Sequence, residues 1–361
     1  MLLDTVTLEN FRTYTKQRIT FSPTITCFVG PNTIGKTNII EAIFALSSGK
    51  SFRAGKDREM IMWEKELLRI KATTNEDTLE LMITPGLIGN QKAPLKRHLV
   101  NGVPRRSIDF SGKLKAVLFA PEDLELVTGS PSIRRKFLDV VLSQIDREYR
   151  RSVLSYEKGI RQRNKILFQI HEGLSSRGQL FFWDQLLIKA GGYITDARLM
   201  FIDYINSYQL PSLQQSSEKH PVYYLEYDKS VISESRLEQY KDEEVAAKVT
   251  LVGPHRDDIV FHHQSSSGKE VVTAAYGSRG EQRLAVLWLK LAELTFVTEM
   301  AKDRPVLLLD DIFSEFDQKH AELVMSIVEH YQTIITSADE DIIRKLTQGD
   351  PQTTVIHLPF E

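Results

Sequence analysis

A glycine-rich turn between a hydrophobic strand and a helix constrains this chain more than any other feature of its sequence. Residues 30–37 read Gly-Pro-Asn-Thr-Ile-Gly-Lys-Thr and fit the pattern G-x-x-x-x-G-K-[ST]. They follow the apolar run Ile25–Val29 and precede residues 37–47, whose composition and spacing predict a helix. Such a unit binds phosphate, because its glycines let successive N–H groups point inward and the positive end of the helix faces the anion.

The turn supplies a complete set of candidate nucleotide-binding residues: Gly30, Pro31, Asn32, Thr33, Ile34, Gly35, Lys36 and Thr37. Lys36 provides a positive charge for the β- and γ-phosphates and is a candidate catalytic residue, and the Thr37 hydroxyl can ligate Mg²⁺. An ordinary glycine turn is the simpler alternative for so short a pattern, and two further motifs argue against it. We therefore predict ATP and Mg²⁺ as cofactors.

The composition is that of a globular protein large enough for two domains. The 361 residues are 42% hydrophobic and 26% charged, so the chain can bury a large core. No apolar run is long enough to cross a bilayer, and the first ten residues contain acidic side chains where a secretory signal would be basic. The single cysteine, Cys27, lies in the apolar strand before the turn. We expect a cytoplasmic protein without disulfides and without membrane contact.

Basic side chains are clustered, although the formal net charge is only −2. Residues 92–106 contain five basic and no acidic side chains, and residues 147–165 contain seven basic side chains against two glutamates. Either cluster can neutralise the phosphates of a nucleic-acid backbone, which predicts salt-sensitive DNA binding. A solvated helix face is the alternative interpretation.

Hydrophobic patterns divide the chain into three parts. Residues 1–120 predict short strands and one helix, forming a mixed sheet that carries the glycine-rich turn. Residues 121–249 predict a lobe of long helices, a possible arm for DNA or a partner, with a break or kink at Gly191-Gly192. Residues 250–361 return to strands and helices. The first and third parts are the predicted halves of one head, and the lobe is inserted between them.

Two carboxylates end a hydrophobic strand late in the chain. Val306–Leu309 are apolar and lead into Asp310 and Asp311. A buried parallel strand has this composition, and a ligand site opens at its carboxyl end. We predict that Asp310 holds Mg²⁺, directly or through water, and that Asp311 polarises the attacking water. Capping of the next helix is the alternative role for either aspartate.

A third motif has the form S-x-G-x-Q and comprises Ser278, Gly280 and Gln282, directly before a predicted helix over 281–299. A serine and a glycine at a helix start offer a hydroxyl, free N–H groups and a positive dipole end to a γ-phosphate. Since the glycine-rich turn already surrounds the phosphates from one side, we expect this contact to come from a second subunit. Dimerisation would then depend on ATP. The alternative role for Ser278 is the N-cap of its own helix.

The order of these motifs resembles the ABC-type ATPase head shared with the chromosome-maintenance SMC proteins, in which Ser314–Asp317 would correspond to the loop at the dimer seam. Four further segments resemble the RecF family of bacterial recombination mediators: Glu9–Tyr14, residues 121–124, residues 129–139 and residues 252–258. The expected fold is therefore α/β, an ABC-type P-loop ATPase head with a mixed sheet and a helical lobe inserted between its two halves.

The RecF resemblance implies a DNA-binding ATPase of recombinational repair that forms a homodimer on ATP and hydrolyses ATP slowly. It implies binding to duplex DNA and single-strand/double-strand junctions, and work with RecR and RecO to help load RecA at gaps. It also implies that Thr37 and Asp310 ligate Mg²⁺ and that Asp311 is the catalytic carboxylate. General ABC heads carry a glutamate in place of Asp311 and a histidine after a later strand, where this chain has Thr333–Ser337. Both departures predict slow turnover.

Two other functions stay open at this point. A scaffold would bind nucleotide without significant turnover, and a transporter ATPase would also use an S-x-G-x-Q motif, although no membrane-facing amphipathic segment accompanies it here. Several basic residues have alternative roles. Arg12 can approach the nucleotide or sit exposed at a strand end, and His255 and Arg256 can contact DNA or the dimer seam or brace a turn. Arg134 and Arg135 can touch DNA or pair with acids such as Glu122 and Asp123.

Overall fold

The structure is a computed structural model of the 361-residue chain and describes residues 1–208, 222–264, 268–314, 318–339 and 353–359. Residues 315–317 of the predicted seam loop therefore lie outside the described residues. The chain forms two compact units, residues 1–123 with 297–361, and residues 124–296. The second unit thus includes residues 250–296, which the sequence pattern places in the head. The division into head and lobe stays a prediction, because compactness alone does not show which residues make an ATPase head.

The strands and helices have the following bounds in chain order. The strands are β1 (Leu3–Phe11), β2 (Tyr14–Thr20), β3 (Ile25–Val29), β4 (Leu68–Thr74), β5 (Thr78–Ile83), β6 (Leu87–Ile88), β7 (Gln91–Lys92), β8 (Lys96–Val100), β9 (Val103–Arg105), β10 (Ala116–Phe119), β11 (Tyr223–Asp228), β12 (Asp258–Gln264), β13 (Glu270–Val272), β14 (Val306–Asp310), β15 (Thr333–Ser337) and β16 (Thr354–His357). The helices are α1 (Lys36–Ser48), α2 (Ser107–Phe110), α3 (Glu125–Thr128), α4 (Pro131–Ile145), α5 (Arg147–His171), α6 (Phe181–Ser207), α7 (Glu234–Gln239), α8 (Lys241–Ala247), α9 (Thr273–Tyr276), α10 (Arg279–Ala301) and α11 (Gln318–Val328).

An antiparallel sheet of six strands, ordered β2-β1-β4-β5-β8-β9, forms one layer of the first unit. Strand β4 shows why this sheet is buried on one face only. Its residues Leu68, Ile70 and Ala72 are fully buried. Arg69 and Lys71 alternate with them and reach solvent. Alternation with a period of two places apolar side chains on the core face and polar ones on the outer face.

A second, wholly parallel sheet carries the glycine-rich turn, in the order β10-β14-β15-β3-β16. Every residue of β3 and β14 is buried, which is why both read as continuous apolar runs. Strand β15 lies between them, so that Thr336 pairs with Asp310 on one side and Ser337 with Val29 on the other. The carboxyl ends of three parallel strands therefore meet at the turn.

The second unit is mainly helical and includes a small antiparallel sheet, β11-β12-β13. The stretch 133–170, which has helical spacing, is two helices, because Asp146 ends α4 and caps α5 by accepting hydrogen bonds from the N–H groups of Glu148 and Tyr149. Helix α6 runs unbroken through Gly191 and Gly192, so the predicted break does not occur. A Cβ on Gly191 would lie 2.6 Å from Ile232 Cγ2, and close packing accounts for this glycine.

None of the helices within the described ranges is both long enough and apolar enough to span a bilayer.

Candidate nucleotide site

The glycine-rich turn between β3 and α1 has the backbone geometry of an anion-binding loop. Thr33 and Gly35 have positive φ angles, 73° and 107°, which turn the chain tightly before α1 begins at Lys36. Gly35 is the N-cap of α1 and provides no side-chain cap, so the first N–H groups of the helix keep their capacity to bind an anion. A Cβ on Gly30 would lie 2.9 Å from the Leu358 carbonyl oxygen, so only glycine fits there.

Tyr14 holds this turn from the end of the six-stranded sheet. Its hydroxyl donates a hydrogen bond to the Gly35 carbonyl oxygen at 3.0 Å. A Cβ on Gly35 would approach both the Tyr14 and the Thr13 hydroxyl oxygens to 3.0 Å. Burial raises the pKa of Tyr14 to about 12, so the phenol stays protonated and remains a donor at neutral pH. The only signal of this contact in the sequence is the position of Tyr14 within the segment that resembles RecF.

The Lys36 side chain folds back over the turn. Its ammonium donates hydrogen bonds to the carbonyl oxygens of Gly30 at 2.6 Å and Pro31 at 3.0 Å, and the residue is 6% exposed. Burial lowers the pKa of Lys36, whereas the charges of Asp311 and Asp310 act in the opposite direction. The predicted phosphate lysine and the two predicted carboxylates are therefore close enough to interact electrostatically.

Asp310 lies beside the turn at the end of β14 and is 3% exposed. Its Oδ1 accepts hydrogen bonds from the Thr37 hydroxyl at 3.1 Å and the Thr336 hydroxyl at 2.6 Å. Burial raises the pKa of Asp310 and the Glu122 charge adds to this, whereas the two hydrogen bonds and Arg53 lower it. The structure thus brings together the two predicted magnesium ligands, Thr37 and Asp310.

The donor atoms at this position fit Mg²⁺. A carboxylate and a hydroxyl oxygen 3.1 Å apart can turn toward one ion, and both are the hard oxygen ligands that Mg²⁺ prefers. Proteins commonly supply only one or two ligands to Mg²⁺, and substrate phosphates and water supply the others. When bound, the ion would neutralise phosphate charge.

Asp311 follows directly in a left-handed conformation, with φ 51°. Its N–H group donates to the Thr336 carbonyl oxygen and to the Thr336 hydroxyl oxygen, both at 3.1 Å. Aspartate tolerates this backbone region better than most residues. Thr336 therefore orients both aspartates, a role that sequence reasoning missed when it noted only that residues 333–337 offer hydroxyls.

Arg12 forms a salt bridge with a buried carboxylate next to the turn. Its guanidinium donates two hydrogen bonds to Glu41 of α1, at 2.6 and 2.9 Å, and a third to the Glu59 carbonyl oxygen at 2.6 Å. Glu41 has no exposed surface and also accepts a hydrogen bond from Ser51. Arg12 thus braces the helix that starts at the phosphate-binding turn.

The S-x-G-x-Q motif begins α10 in the second unit. The Ser278 hydroxyl accepts from the Glu281 N–H at 3.3 Å, and Glu281 accepts from the Ser278 N–H at 2.7 Å, which is a reciprocal capping box. Ser278 and Gly280 are exposed, whereas Gln282 is buried and donates to the Gly277 carbonyl oxygen at 3.2 Å. The N-cap role of Ser278 is therefore observed, and its contact with a γ-phosphate stays a prediction.

The basic residues of segments 131–139 and 252–258 are bound within the second unit. Arg134 donates two hydrogen bonds to Asp258, at 2.6 and 2.8 Å, and Arg135 donates to the Asp257 carbonyl oxygen at 2.7 Å. Asp258, rather than Glu122 or Asp123, is thus the acidic partner of Arg134. The His255 ring interacts with the Tyr156 hydroxyl at 2.9 Å and the Thr250 carbonyl oxygen at 3.1 Å, as expected for a residue that braces a turn.

Both basic clusters lose members to internal contacts. Lys96 pairs with Asp57 at 2.8 Å, and Arg163 is buried between Asp184 and Glu244 at 2.6 and 2.7 Å. Arg150 donates to the Ser143 carbonyl oxygen. Exposed members are Lys92, Arg97, Arg105 and Arg106 in the first cluster and Arg147, Arg151, Lys158, Arg161 and Lys165 in the second.

Comparison with known proteins agrees with this geometry. The family model described as the RecF/RecN/SMC N-terminal domain matches residues 2–355. The DNA replication and repair protein RecF of Lachnoclostridium phytofermentans is 36% identical over 97% of this chain and 99% of its own length. The protein of the same name from Halalkalibacterium halodurans is 36% identical over 94% of each chain.

Solved structures show the same similarity. The recombination mediator protein RecF-ATP of the RecFOR pathway is 28% identical, with a TM-score of 0.83 over 94% of this chain and 92% of that one. An Smc head bound to the C-terminal winged-helix domain of ScpA is 15% identical with a TM-score of 0.52, which shows a shared fold only. The predicted fold class is confirmed. Fold and site define a P-loop ATPase head of the RecF/RecN/SMC class. Within that class, the chain belongs to the RecF family.

Proposed function

We propose that this chain is an ATP-dependent DNA-binding protein of recombinational repair that acts from the cytoplasm. It forms a homodimer on ATP, binds duplex DNA and single-strand/double-strand junctions, hydrolyses ATP slowly and, with RecR and RecO, helps load RecA at gaps. One observation carries the nucleotide part of this proposal: the turn Gly30–Thr37 ends within hydrogen-bond distance of the buried Asp310. Relatives named DNA replication and repair protein RecF support the rest, as does the solved recombination mediator protein RecF-ATP of the RecFOR pathway.

The site residues have separate roles in the proposed reaction. Lys36 leaves its loop carbonyls for the β- and γ-phosphates and offsets the charge that develops on them, which makes it a catalytic residue. Thr37 and Asp310 position Mg²⁺. The Asp311 carboxylate orients the attacking water by accepting a hydrogen bond from it. Because aspartate is one methylene shorter than the glutamate of general ABC heads, the water is held less closely and turnover is slow.

The proposed dimer places the exposed Ser278 and Gly280 of one copy against the γ-phosphate bound by the other, while Gln282 supports their turn. Residues 1–120 and 250–361 form the proposed head, and residues 121–249 the arm for DNA or a partner. Lys36→Ala should abolish ATP binding and dimerisation, whereas Ser278→Arg should keep ATP binding and lose the dimer. Sedimentation velocity with and without ATP separates these outcomes.

A control variant for this experiment is Ser235→Arg, which adds the same side chain to an exposed position of α7 in the same unit. We expect it to dimerise on ATP like the unmodified protein. An ATP-induced dimer of the Ser278→Arg variant would show that Ser278 does not act in trans.

A scaffold that holds ATP without significant turnover is the second candidate, and the short side chain of Asp311 favours it. Release of phosphate from bound radiolabelled ATP, measured with duplex DNA present, decides between the two. Asp311→Glu should accelerate hydrolysis if Asp311 orients the attacking water. Survival of ATP in the unmodified protein, with no gain in the Asp311→Glu variant, supports the scaffold.

A further inference from the structure

Cationic side chains from three strands, β2, β4 and β8, share the outer face of the six-stranded sheet in the first unit. The pairing register defines two rows across this face. The first is Lys16, Glu9, Arg69, Met82 and Arg97, and the second is Arg18, Thr7, Lys71, Glu80 and Leu99. The opposite face packs on the core through fully or almost fully buried side chains that include Leu8, Ile19, Ile70 and Leu81. Because side chains alternate along a strand, both rows lie on the solvent side.

The sequence does not show this grouping, because the residues come from positions up to 81 apart, from Lys16 to Arg97. The pairing register also shows that the basic cluster at residues 92–106 is divided between the two faces of the sheet. Lys96 is on the face of His98 and pairs with Asp57, whereas Arg97 is on the face of the two rows. Adjacent residues of one strand cannot serve the same face.

Four of these cations are available to an external anion. Lys16, Arg18, Lys71 and Arg97 are exposed, and in the described ranges none of them makes a salt bridge. The acidic groups on the two rows and beside them are Glu9 and Glu80. Glu80 accepts two hydrogen bonds from Arg69, at 2.8 and 3.0 Å, and Glu9 also interacts electrostatically with that arginine. Glu9 also lies opposite Lys16 and Glu80 opposite Lys71, so five cations against two carboxylates leave the two rows with a net charge of +3.

We propose that this surface, the cationic sheet face of Lys16, Arg18, Lys71 and Arg97, binds the phosphate backbone of DNA. The inference rests on the proposed function and assigns its DNA contact to a defined surface of the first unit. Four strand spacings of about 4.8 Å separate Lys16 from Arg97, so the row spans about 19 Å. At about 3.4 Å per base pair this covers five to six base pairs of duplex.

The neighbouring side chains favour a phosphate backbone over an acidic protein partner. A third row across the same face consists of Thr20, Thr5, Thr73 and Thr78, which are exposed or partly exposed. Threonine hydroxyls are common donors to phosphate oxygens. Protein interfaces instead centre on buried aromatic or aliphatic anchors, and the middle of this face holds Thr7, Glu9 and Arg69.

Charge removal on the full-length protein tests the proposal. The variant Lys16→Gln/Arg18→Gln/Lys71→Gln/Arg97→Gln is compared with Arg151→Gln/Lys158→Gln/Arg161→Gln/Lys165→Gln, which removes as many exposed charges from α5. Binding of a fluorescein-labelled 30-base-pair duplex is followed by anisotropy from 50 to 300 mM salt, with a non-cleavable ATP analogue present. Unchanged thermal unfolding establishes that both variants are folded.

The sheet variant should bind at least about tenfold more weakly at 100 mM salt, and its slope of log K against log salt should fall by about 0.9 per lost contact, up to about 3.6 for four. Because α5 belongs to the proposed arm, its variant measures the arm's own share of the slope, and the sheet variant is expected to lose more of the slope than the α5 variant does. Unaltered affinity and slope in the sheet variant would overturn the proposal and leave an acidic protein as the partner of this face. If the unmodified protein shows no salt-dependent DNA binding at all, the proposed function fails instead.

Discussion

Thr336 offers the most direct test of how Asp310, the proposed magnesium ligand, is positioned. Its hydroxyl donates to Asp310 at 2.6 Å and accepts from the Asp311 N–H at 3.1 Å, in a residue with no exposed surface. Thr336→Val removes both hydrogen bonds with almost no change of shape. A hydrogen bond to a charged group contributes about 1.5–3 kcal/mol, and one between neutral groups about 0.5–1.5 kcal/mol. We therefore expect a loss of about 2–4.5 kcal/mol in the free energy of unfolding.

Urea unfolding at pH 7.5, followed by circular dichroism, measures this loss. Thr336→Ser keeps the hydroxyl and should retain most of the stability. Thr333→Val is a second control on the same strand, because the equally buried Thr333 hydroxyl bonds, among the described residues, only to carbonyl oxygens, at 3.2 and 3.4 Å. It should cost no more than about 1.5 kcal/mol.

The same variant should weaken nucleotide binding in a way that depends on the metal. Loss of the Thr336 hydroxyl raises the pKa of the buried Asp310 further and frees its side chain to rotate, so ATP affinity should fall when Mg²⁺ is present and change little in EDTA. Isothermal titration calorimetry under both conditions provides the comparison. A Thr336→Val protein within about 0.5 kcal/mol of the unmodified stability and with normal Mg²⁺-dependent binding would refute this reasoning.

Two further predictions concern packing and pH. Gly191→Ala should destabilise the protein by about 1–3 kcal/mol, since the new Cβ would lie 2.6 Å from Ile232. Gly192→Ala should be neutral or stabilising by up to about 1 kcal/mol, because no described atom lies within 4 Å of its new Cβ. Equal shifts of the thermal unfolding temperature in the two variants would contradict this. Burial, aided by the Lys96 charge, lowers the pKa of His98 from 6.5 to about 4. Below pH 6.5 the unfolded chain therefore binds a proton that the folded protein does not, and stability falls toward pH 4. Compared with His98→Phe, the unmodified protein should lose about 2 kcal/mol between pH 7.5 and pH 5 in urea unfolding, and parallel curves would contradict this assignment.

The turn and its flanking elements could be predicted from the sequence because their signal is local. Strand β3 has the predicted ends, and α1 extends the predicted helix by one residue on each side. Strand order is not local. Thr336 meets Asp310 only because β15 lies between β14 and β3, and nothing in the order of the segments along the chain specifies that arrangement.

The cations that are exposed and unpaired were harder to predict than secondary structure, since a count of basic residues does not show the faces on which they lie. Lys96 and Arg97 belong to one apparent cluster, but the register of β8 places them on opposite sides of the sheet. Arg163 likewise belongs to a basic run, and it is 2% exposed and paired with two acidic side chains. Only the tertiary structure separates cations available to DNA from cations that stabilise the fold.

The segments that resemble RecF also have two different physical roles. Glu9–Tyr14 supplies Arg12 and Tyr14 to the region of the phosphate-binding turn, whereas residues 129–139 and 252–258 interlock within the second unit. There, the buried Arg198 donates to Asp139 and Asp257, each at 2.9 Å, and to the Pro254 carbonyl oxygen at 2.7 Å.

Removing one partner of such a buried ion pair typically costs about 3–5 kcal/mol, because the other charge is left uncompensated. Gly253 is fixed by the same packing, with φ 122° and a hypothetical Cβ only 2.1 Å from the Tyr156 hydroxyl oxygen. Within the Gly-Pro-His-Arg-Asp-Asp motif, Gly253, Asp257 and Asp258 thus have structural roles, whereas a DNA or seam contact of the exposed Arg256 stays a prediction. If a variant of Asp257 or Gly253 abolishes DNA repair, we therefore expect the cause to be misfolding rather than the loss of a DNA contact.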